Sequence, residues 1–244
     1  MLPLHKGRYR ARFAESAADI AAAQGLRSLA FLRAEGLDRD RFDTVCKHVV
    51  IEDLQTDLAV CCYRLLSVTG DEIWNSYSAQ FYDLSALSLF QGPMLELGRF
   101  CIRPDHLDPD ILRLAWAALT RIIDGAGVRL LFGCTSFRGT DAGRYAQAFA
   151  MLSAGHLAPK QWMPKVKVAE VVRFADAPRD RKIAPDQGLV TMPPLLRTYL
   201  AKGGWVSDHA VIDRDLDTLH VFTGLDISAI PAARARLLRA VAGS

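Results

Sequence analysis

The sequence predicts a mixed α/β protein, and three observations support this fold class. Short apolar segments typical of β-strands lie between longer amphipathic segments typical of helices. Their order along the chain is β-α-β-β and then β-α-β-α, so strands and helices do not alternate strictly. Of the 244 residues, 50% are hydrophobic and 23% are charged, which is typical of a globular chain with a substantial core.

The N-terminal part predicts a strand, a helix and two further strands. Residues 9–13 alternate in polarity like a strand, and Ser16 suits the N-cap of a helix predicted over residues 17–34. Residues 48–51 and 58–66 are apolar strand candidates separated by a polar turn.

The middle of the chain predicts two strands and two helices. A strand candidate spans residues 94–102, and an amphipathic helix follows over residues 111–125, with Pro109 in its first turn. An apolar strand over residues 128–134 and a further helix over residues 141–154 come next.

The C-terminal part predicts a short helix, strands over residues 205–223 and a basic tail helix over residues 232–242. No internal repeat or low-complexity segment separates it from the rest of the chain. We therefore expect a core over residues 1–188 and a C-terminal elaboration over residues 189–244 packed on the same domain.

Composition excludes several classes of protein. No segment approaches the roughly 20 apolar residues of a membrane-spanning helix, and the N-terminus has no apolar signal core, so we expect a cytoplasmic protein. The five cysteines form no C-x-x-C pair, which predicts reduced core thiols and no metal site. A net charge of +3, from 30 basic and 27 acidic residues, is too small to indicate a nucleic-acid partner.

Common catalytic motifs are also absent from the sequence. It contains no G-x-S-x-G, no P-loop, no G-x-G-x-x-G and no H-E-x-x-H. Serine hydrolases, P-loop proteins and dinucleotide-binding proteins therefore lose their main sequence support.

Two charged residues, Glu96 and Arg99, interrupt the apolar strand predicted over residues 94–102. Charges in such a strand are costly unless they are paired or used, and their i, i+3 spacing predicts opposite faces of an extended strand. Each could simply be bridged to another charge. The functional interpretation makes Glu96 a general base in a cleft, and Gly98 indicates a bulge or a close approach of ligand to backbone.

Three aspartates, Asp38, Asp40 and Asp43, lie in the loop after the first predicted helix. Their spacing creates a cluster of negative charge that could hold an ammonium group. A solvated loop explains the same spacing, and the residues alone favour that interpretation.

Several segments together resemble two related families of acyltransferase. Like the acyl-homoserine-lactone synthases, the chain has an acidic loop ending in Phe-Asp, an Arg-Leu strand and a Glu-x-x-Arg strand. It resembles more closely the L-ornithine N-alpha-acyltransferases, which make lyso-ornithine lipid. The segments that carry the resemblance are residues 38–43, 63–66, 96–100, 131–137, 193–200, 204–209 and 213–222.

The resemblance implies a GNAT-like acyltransferase fold, a twisted mixed sheet flanked by helices. It implies transfer of a (3-hydroxy)acyl chain from acyl carrier protein to the α-amine of L-ornithine, the first step of ornithine lipid synthesis. Glutamine is the alternative acceptor. An acyl-homoserine-lactone synthase is a second alternative, although the glycine at position 98 and the absence of a tryptophan before Asp38 depart from that family. An inactive, membrane-associated binding protein is the non-enzyme alternative.

The resemblance also implies roles for individual residues. Glu96 would receive the proton of the acceptor amine, and Arg99 would be the second catalytic residue. Asp40 and Asp43 would hold the ammonium end of the acceptor, while Arg64 or Arg99 pairs its carboxylate or fixes Glu96. The expected substrate-binding residues are Asp40, Asp43, Arg64, Leu97, Phe100 and Ser136.

The segment after the Glu-x-x-Arg strand supports a carrier-protein donor. GNAT proteins that use coenzyme A have a glycine-containing turn there, whose N–H groups bind the pyrophosphate. Residues 102–108 have no glycine, one proline and two aspartates. We therefore expect no tightly bound cofactor and a 4'-phosphopantetheine arm delivered on acyl carrier protein.

A basic stretch follows the last predicted core helix and would dock the acidic carrier protein. Its members are Lys160, Lys165, Lys167 and Arg173, followed by Arg179, Arg181 and Lys182.

The expected product has one acyl chain and must reach a bilayer. The tail predicted over residues 232–242 combines arginines with apolar residues and could rest on the inner face of the plasma membrane. Packing of this tail on the core is the alternative.

Overall fold

The computed structural model describes residues 2–177 and 185–230 of the chain. Its strands are β1 (Leu4–Lys6), β2 (Tyr9–Phe13), β3 (Lys47–Asp53), β4 (Leu58–Val68), β5 (Tyr82–Asp83), β6 (Met94–Ile102), β7 (Leu130–Arg138), β8 (Lys165–Val166), β9 (Val171–Val172), β10 (Trp205–Asp213) and β11 (Thr218–Asp226). Its α-helices are α1 (Ala17–Arg27), α2 (Pro109–Gly125), α3 (Ala146–Gly155), α4 (Pro185–Thr191) and α5 (Pro194–Ala201).

The described residues form two compact units. Unit 1 comprises residues 2–67 and Leu95–Val128, and unit 2 comprises Val68–Met94 and Arg129–Ile230. Both units combine hydrogen-bonded strands with packed helices, which confirms the α/β class. The residues predicted as a C-terminal elaboration contribute α5, β10 and β11 to unit 2.

Unit 1 has a sheet with strands in the order β1-β2-β3-β4-β6 and a helix on each face. The pairs β1–β2, β2–β3 and β3–β4 are antiparallel. Because side chains alternate along β4, the Cys62 thiol contacts the Ala23 carbonyl of α1, whereas the Tyr63 hydroxyl donates to the Ala115 carbonyl of α2.

Unit 2 has strands in the order β7-β11-β10-β9, and a separate two-stranded pair, β5–β8. Strand β11 pairs antiparallel with β7 along its whole length, from Thr218 to Asp226. The core on one face contains aromatic side chains of β7, α3 and the segment before α4, with Phe137, Phe149 and Phe174 buried together. Phe149 and Phe174 stack with ring centroids 4.9 Å apart.

The ends of several predicted elements differ from the structure. The helix predicted over residues 17–34 is α-helical only to Arg27, and Ser28–Leu32 form a π-helical turn. This turn ends because Arg33 adopts a left-handed backbone conformation, with φ of 52°. The helix predicted over residues 141–154 begins with a 3₁₀ turn at Ala142–Tyr145.

Two other expectations concern the ends of the chain and the membrane. The tail predicted as a helix over residues 232–242 lies outside the described residues, and so do Arg179, Arg181 and Lys182. Within residues 2–177 and 185–230, no helix is both long enough and apolar enough to cross a membrane.

Candidate active site

Unit 1 contains a buried cluster of three aspartates and three arginines, whose formal charges balance. We call it the Arg–Asp cluster, and its members are Arg27, Asp38, Asp40, Asp43, Arg64 and Arg99. The residues come from the end of α1, the following loop, β4 and β6. Buried charges persist when they are paired and hydrogen-bonded, and each member of this cluster is.

Helix α1 supplies Arg27, whose side chain is only 1% exposed. Its Nε lies 3.0 Å from Oδ2 of Asp38, its Nη1 lies 2.7 Å from Oδ1 of Asp43, and its Nη2 donates to the Asp38 carbonyl. Ser16 caps this helix and forms a capping box with Asp19. The cap therefore fixes the helix that carries Arg27 into the cluster.

The loop supplies Asp40 and Asp43, and their spacing has a local cause. Asp40 is the N-cap of a 3₁₀ turn over Arg41–Thr44, and its Oδ1 accepts the N–H of Phe42 at 2.8 Å. Oδ2 of Asp43 accepts the N–H of Asp40 at 3.3 Å, so the two carboxylates form a capping box.

The strands supply Arg64 and Arg99. Arg64 of β4 donates from both Nη atoms to Asp40, at 2.6 Å and 2.7 Å, and from Nη1 to Asp43 at 2.9 Å. Arg99 of β6 donates from Nε to Asp38 at 2.9 Å and from Nη2 to Asp40 at 3.3 Å. Asp40 therefore joins the arginines of two strands.

Strand β6 contains a local irregularity at Arg99, which has a left-handed φ of 50°. A Cβ placed on Gly98 would lie 3.5 Å from Cγ and Nε of Arg64, so positions 98 and 99 both face the Arg–Asp cluster. Because Glu96 is two residues before Gly98, it shares that face. The expectation of opposite faces for Glu96 and Arg99 is wrong, since it assumed an uninterrupted pleat. The left-handed residue lies one position beyond Gly98, which suggested an irregularity.

Glu96 is a buried carboxylate beside this cluster, with 3% of the residue exposed. The pKa of the nearby Cys46 thiol shows which charges lie around it. Burial raises this pKa to about 11, and the negative charges of Glu96, Asp40 and Asp43 also raise it, whereas Arg64 lowers it. Glu96 thus lies in the same electrostatic environment as the cluster.

The pKa values of the loop aspartates follow from their arginine partners. Burial alone would raise the pKa of Asp43, but hydrogen bonds from Arg27 hold it well below its usual value. Burial opposes the same effect at Asp40, where hydrogen bonds from Arg64 lower the pKa. Both carboxylates are therefore ionised at neutral pH and committed to arginines. Contact of Asp40 and Asp43 with an acceptor ammonium stays a prediction, and the geometry gives them a direct part in orienting Arg64 and Arg99.

The other predicted substrate-binding residues lie on β6 and β7. Leu97 is buried in β6, and Phe100 stacks on Tyr63 with ring centroids 5.5 Å apart. Ser136 is a half-buried residue of β7 in unit 2, paired across the ladder with His220.

The predicted docking residues are exposed on unit 2. Lys160 begins a 3₁₀ turn, Lys165 is in β8, and Arg173 precedes Phe174. Lys167 is also exposed, and its Nζ donates to the carbonyl of Ala79 at 2.6 Å. Their part in docking stays a prediction.

The start of α2 is occupied by side chains of this chain. Asp108 is the N-cap and accepts the N–H of Asp110 at 2.9 Å, and Pro109 has no N–H to offer. The Tyr9 hydroxyl donates to the other oxygen of Asp108 at 3.0 Å. Asp108 and Pro109 therefore leave few free N–H donors where a pyrophosphate would need them.

Arg27 and Gln24 also belong to this site, and neither was predicted from the sequence. A signal for Arg27 was present, since Asp19 and Arg27 are the only charged residues from Ala17 to Leu32. An arginine in an Ala/Leu-rich helix indicates a paired, buried charge.

Comparison with known proteins defines the class. Residues 23–117 match the acetyltransferase (GNAT) domain family, and this range contains Glu96 and the whole Arg–Asp cluster. The solved structure of FeeM, an N-acyl amino acid synthase from uncultured soil microbes, has a TM-score of 0.52 to this chain at 9% identity, covering 97% of both chains. At that identity the likeness shows the fold alone. Fold and site together define a GNAT-type acyltransferase.

Relatives with higher identity define the family. The L-ornithine N(alpha)-acyltransferase of Rhodobacter capsulatus is 33% identical over 240 residues, 91% of each chain. That of Brucella abortus is 30% identical over 243 residues, 92% of this chain and 86% of the relative. The chain belongs to the L-ornithine N(alpha)-acyltransferase family, which confirms the resemblance noted from its motifs.

Proposed function

We propose that this enzyme transfers a (3-hydroxy)acyl chain from acyl carrier protein to the α-amine of L-ornithine, as the first step of ornithine lipid synthesis. The observation that carries the proposal is the match to two L-ornithine N(alpha)-acyltransferases over about nine-tenths of this chain. The buried Arg–Asp cluster beside Glu96 supports the proposal, because its salt bridges fix charged side chains where a small charged acceptor would bind.

The start of α2 supports carrier protein over coenzyme A as donor. A coenzyme A thioester brings a pyrophosphate, which needs free N–H donors, whereas Asp108 already accepts the N–H of Asp110 and Pro109 has no N–H. The arm of a carrier protein has no pyrophosphate, so it does not need these donors.

Glu96 is the proposed general base. An α-ammonium group must lose a proton before its nitrogen can attack a thioester carbonyl, and Glu96 receives that proton directly or through one water. The neutral amine nitrogen then bonds to the carbonyl carbon and loses its second proton, the C–S bond breaks, and this proton passes to the leaving thiolate, so that an amide and a free thiol result. Arg64 and Arg99 hold the carboxylates of the Arg–Asp cluster in place. No acyl-enzyme forms, so the transfer is direct.

A product with one acyl chain partitions into bilayers, and we propose a cytoplasmic enzyme with peripheral contact to the inner leaflet. One long chain gives reversible membrane binding, which would allow release. Flotation of the full chain with anionic and neutral liposomes tests this, and failure to float with either would contradict it.

The defining experiment incubates the full chain with 3-hydroxyacyl carrier protein and ornithine, glutamine or S-adenosylmethionine, followed by mass spectrometry of the products. We expect Nα-(3-hydroxyacyl)ornithine, and slower formation from the matching coenzyme A thioester. Acyl-glutamine or acyl-homoserine lactone as the main product would overturn the acceptor, and a preference for coenzyme A would overturn the donor.

The role of Glu96 is tested by Glu96→Gln. We expect kcat to fall by about 10²–10⁴-fold, the usual contribution of general base catalysis, with the unfolding midpoint largely retained. Glu170→Gln is the matched control, because Glu170 pairs with Arg214 on the surface of unit 2. Near-normal turnover of Glu96→Gln, or a trapped covalent acyl-enzyme, would remove Glu96 from the role.

A further inference from the structure

Gln24 links the Arg–Asp cluster to an exposed arginine. It is a buried residue of α1, 6% exposed, and its Nε2 donates to Oδ2 of Asp43 at 3.0 Å. Its Oε1 accepts from Nε of Arg39 at 3.1 Å. The two partners fix the orientation of the amide, because a carboxylate only accepts and a guanidinium only donates.

Arg39 has an unused hydrogen-bonding edge. It is exposed, and within the described residues only its Nε is engaged, by Gln24. A guanidinium whose Nε is occupied still presents Nη1 and Nη2 side by side, and this edge matches the two oxygens of a carboxylate.

The arginines of the Arg–Asp cluster, unlike Arg39, are already paired with carboxylates of this chain. Each of Arg27, Arg64 and Arg99 forms salt bridges with two of the aspartates Asp38, Asp40 and Asp43. Three positive and three negative charges neutralise one another there. A carboxylate brought by a ligand would compete with these aspartates for arginines that are already paired. At Arg39 it meets no such competition within the described residues.

We propose that Arg39 binds the α-carboxylate of the amino-acid acceptor and that Gln24 positions it for this contact. The inference rests on the proposed function, and it names the group that recognises a free amino acid. Amines without a neighbouring carboxylate, and amino acids blocked as amides, gain nothing from Arg39. The residue therefore determines specificity and takes no part in the chemistry of acyl transfer.

The test compares ornithine with ornithine α-carboxamide in the wild type and in Arg39→Gln. For ornithine we expect Arg39→Gln to raise KM by about 10–100-fold, the usual effect of losing a charge-assisted bidentate contact, with kcat within about 3-fold. For the carboxamide, which has no carboxylate to bind, we expect the two enzymes to have the same KM. Arg39→Lys should recover part of the affinity for ornithine.

Arg33→Gln is the matched control, because Arg33 is also exposed, lies six residues earlier and contributes the same charge. It should leave both KM values unchanged, which separates a specific contact from the overall charge. An unchanged KM for ornithine in Arg39→Gln, or equal increases for ornithine and its carboxamide, would overturn the inference.

The two proposals fail in different ways. If the wild type acylates glutamine instead of ornithine, the acceptor in the proposed function is wrong, and glutamine with its α-carboxamide becomes the test pair for Arg39. If it acylates no free amino acid, the proposed function fails and the inference fails with it. If ornithine is acylated normally by Arg39→Gln, only the inference fails.

Discussion

Among single residues, the buried guanidinium of Arg27 has a large effect on the geometry and charge of the site. Arg27 is almost wholly enclosed, and two carboxylates and a carbonyl offset the cost of removing it from water. Burial lowers the pKa of Arg27, but its hydrogen bonds to Asp43 more than reverse this effect, and the pKa is raised. The charge is therefore permanent, and its value to the protein is that it holds Asp38 and Asp43 in place.

Replacement of Arg27 by methionine is expected to destabilise the protein by about 3–5 kcal/mol, because it leaves two buried carboxylates without their partner. Urea unfolding at pH 7 measures this change. Arg10→Met is the control, since Arg10 pairs with Glu52 at the surface, where such a pair contributes about 0–1 kcal/mol. Equal losses in the two variants would contradict a special role for Arg27.

The depressed pKa values of Asp40 and Asp43 predict how stability depends on pH. A carboxylate whose pKa is lower in the folded state stabilises the fold above its unfolded pKa of about 3.9, and this stabilisation is lost as pH falls through the folded value. We expect the free energy of unfolding to fall steeply below about pH 4. Urea titrations from pH 3 to pH 7 measure it.

Asp43→Asn should make that pH dependence shallower, so that variant and wild type converge as the pH falls. Asp57→Asn is the control, because Asp57 is an exposed turn residue. A pH profile of Asp43→Asn parallel to that of the wild type would show that Asp43 does not couple to folding through its proton.

At the scale of elements, the period of each segment and its caps explain most of the fold. Strand β2, the capped helix α1 and the helix α2 with proline at its first position lie where alternation, Ser16 and Pro109 predict them. The irregularity in β6 could not be placed from the sequence, because Arg99 adopts a left-handed backbone that its sequence neighbours do not require. Its side chain is held by Asp38 and Asp40, which are distant in the sequence.

The cap of α1 gives a prediction at this scale. Ser16→Ala removes the hydroxyl that accepts the N–H of Asp19 at 3.1 Å, and we expect a loss of about 0.5–2 kcal/mol. Because the core of the site is intact in the folded molecule, kcat should be unchanged. Ser16→Asp, which also caps a helix, should retain most of the stability. If both variants lose the same amount, capping is not the cause.

For the molecule as a whole, we expect surface charge to steer the encounter with the proposed carrier-protein donor. The net charge of +3 is small, but the exposed lysines of unit 2 concentrate positive charge on one stretch. Acyl carrier proteins are acidic, and such patches mainly accelerate association at low salt.

Simultaneous replacement of Lys160, Lys165 and Lys167 by glutamate is expected to raise the apparent KM for acyl carrier protein about 10-fold or more at low salt. The effect should shrink as salt is added, because exposed charges are screened. The KM for ornithine, measured on the same variant, is the internal control and should not change. An unchanged KM for carrier protein would show that docking uses another surface.

Sequence patterns alone predicted the α/β class, the main strands and helices, the resemblance to the family and the charges in β6. These properties depend on local periods, caps and short motifs, which neighbouring residues carry. Which charges pair with one another depends on the tertiary fold. Arg99 and Asp38 are 61 residues apart in the chain, and Arg64 and Asp40 are 24 apart, so no local signal pairs them. Burial makes these pairings necessary, because an unpaired charge inside the protein raises the free energy of the folded state by more than contacts with its sequence neighbours can offset.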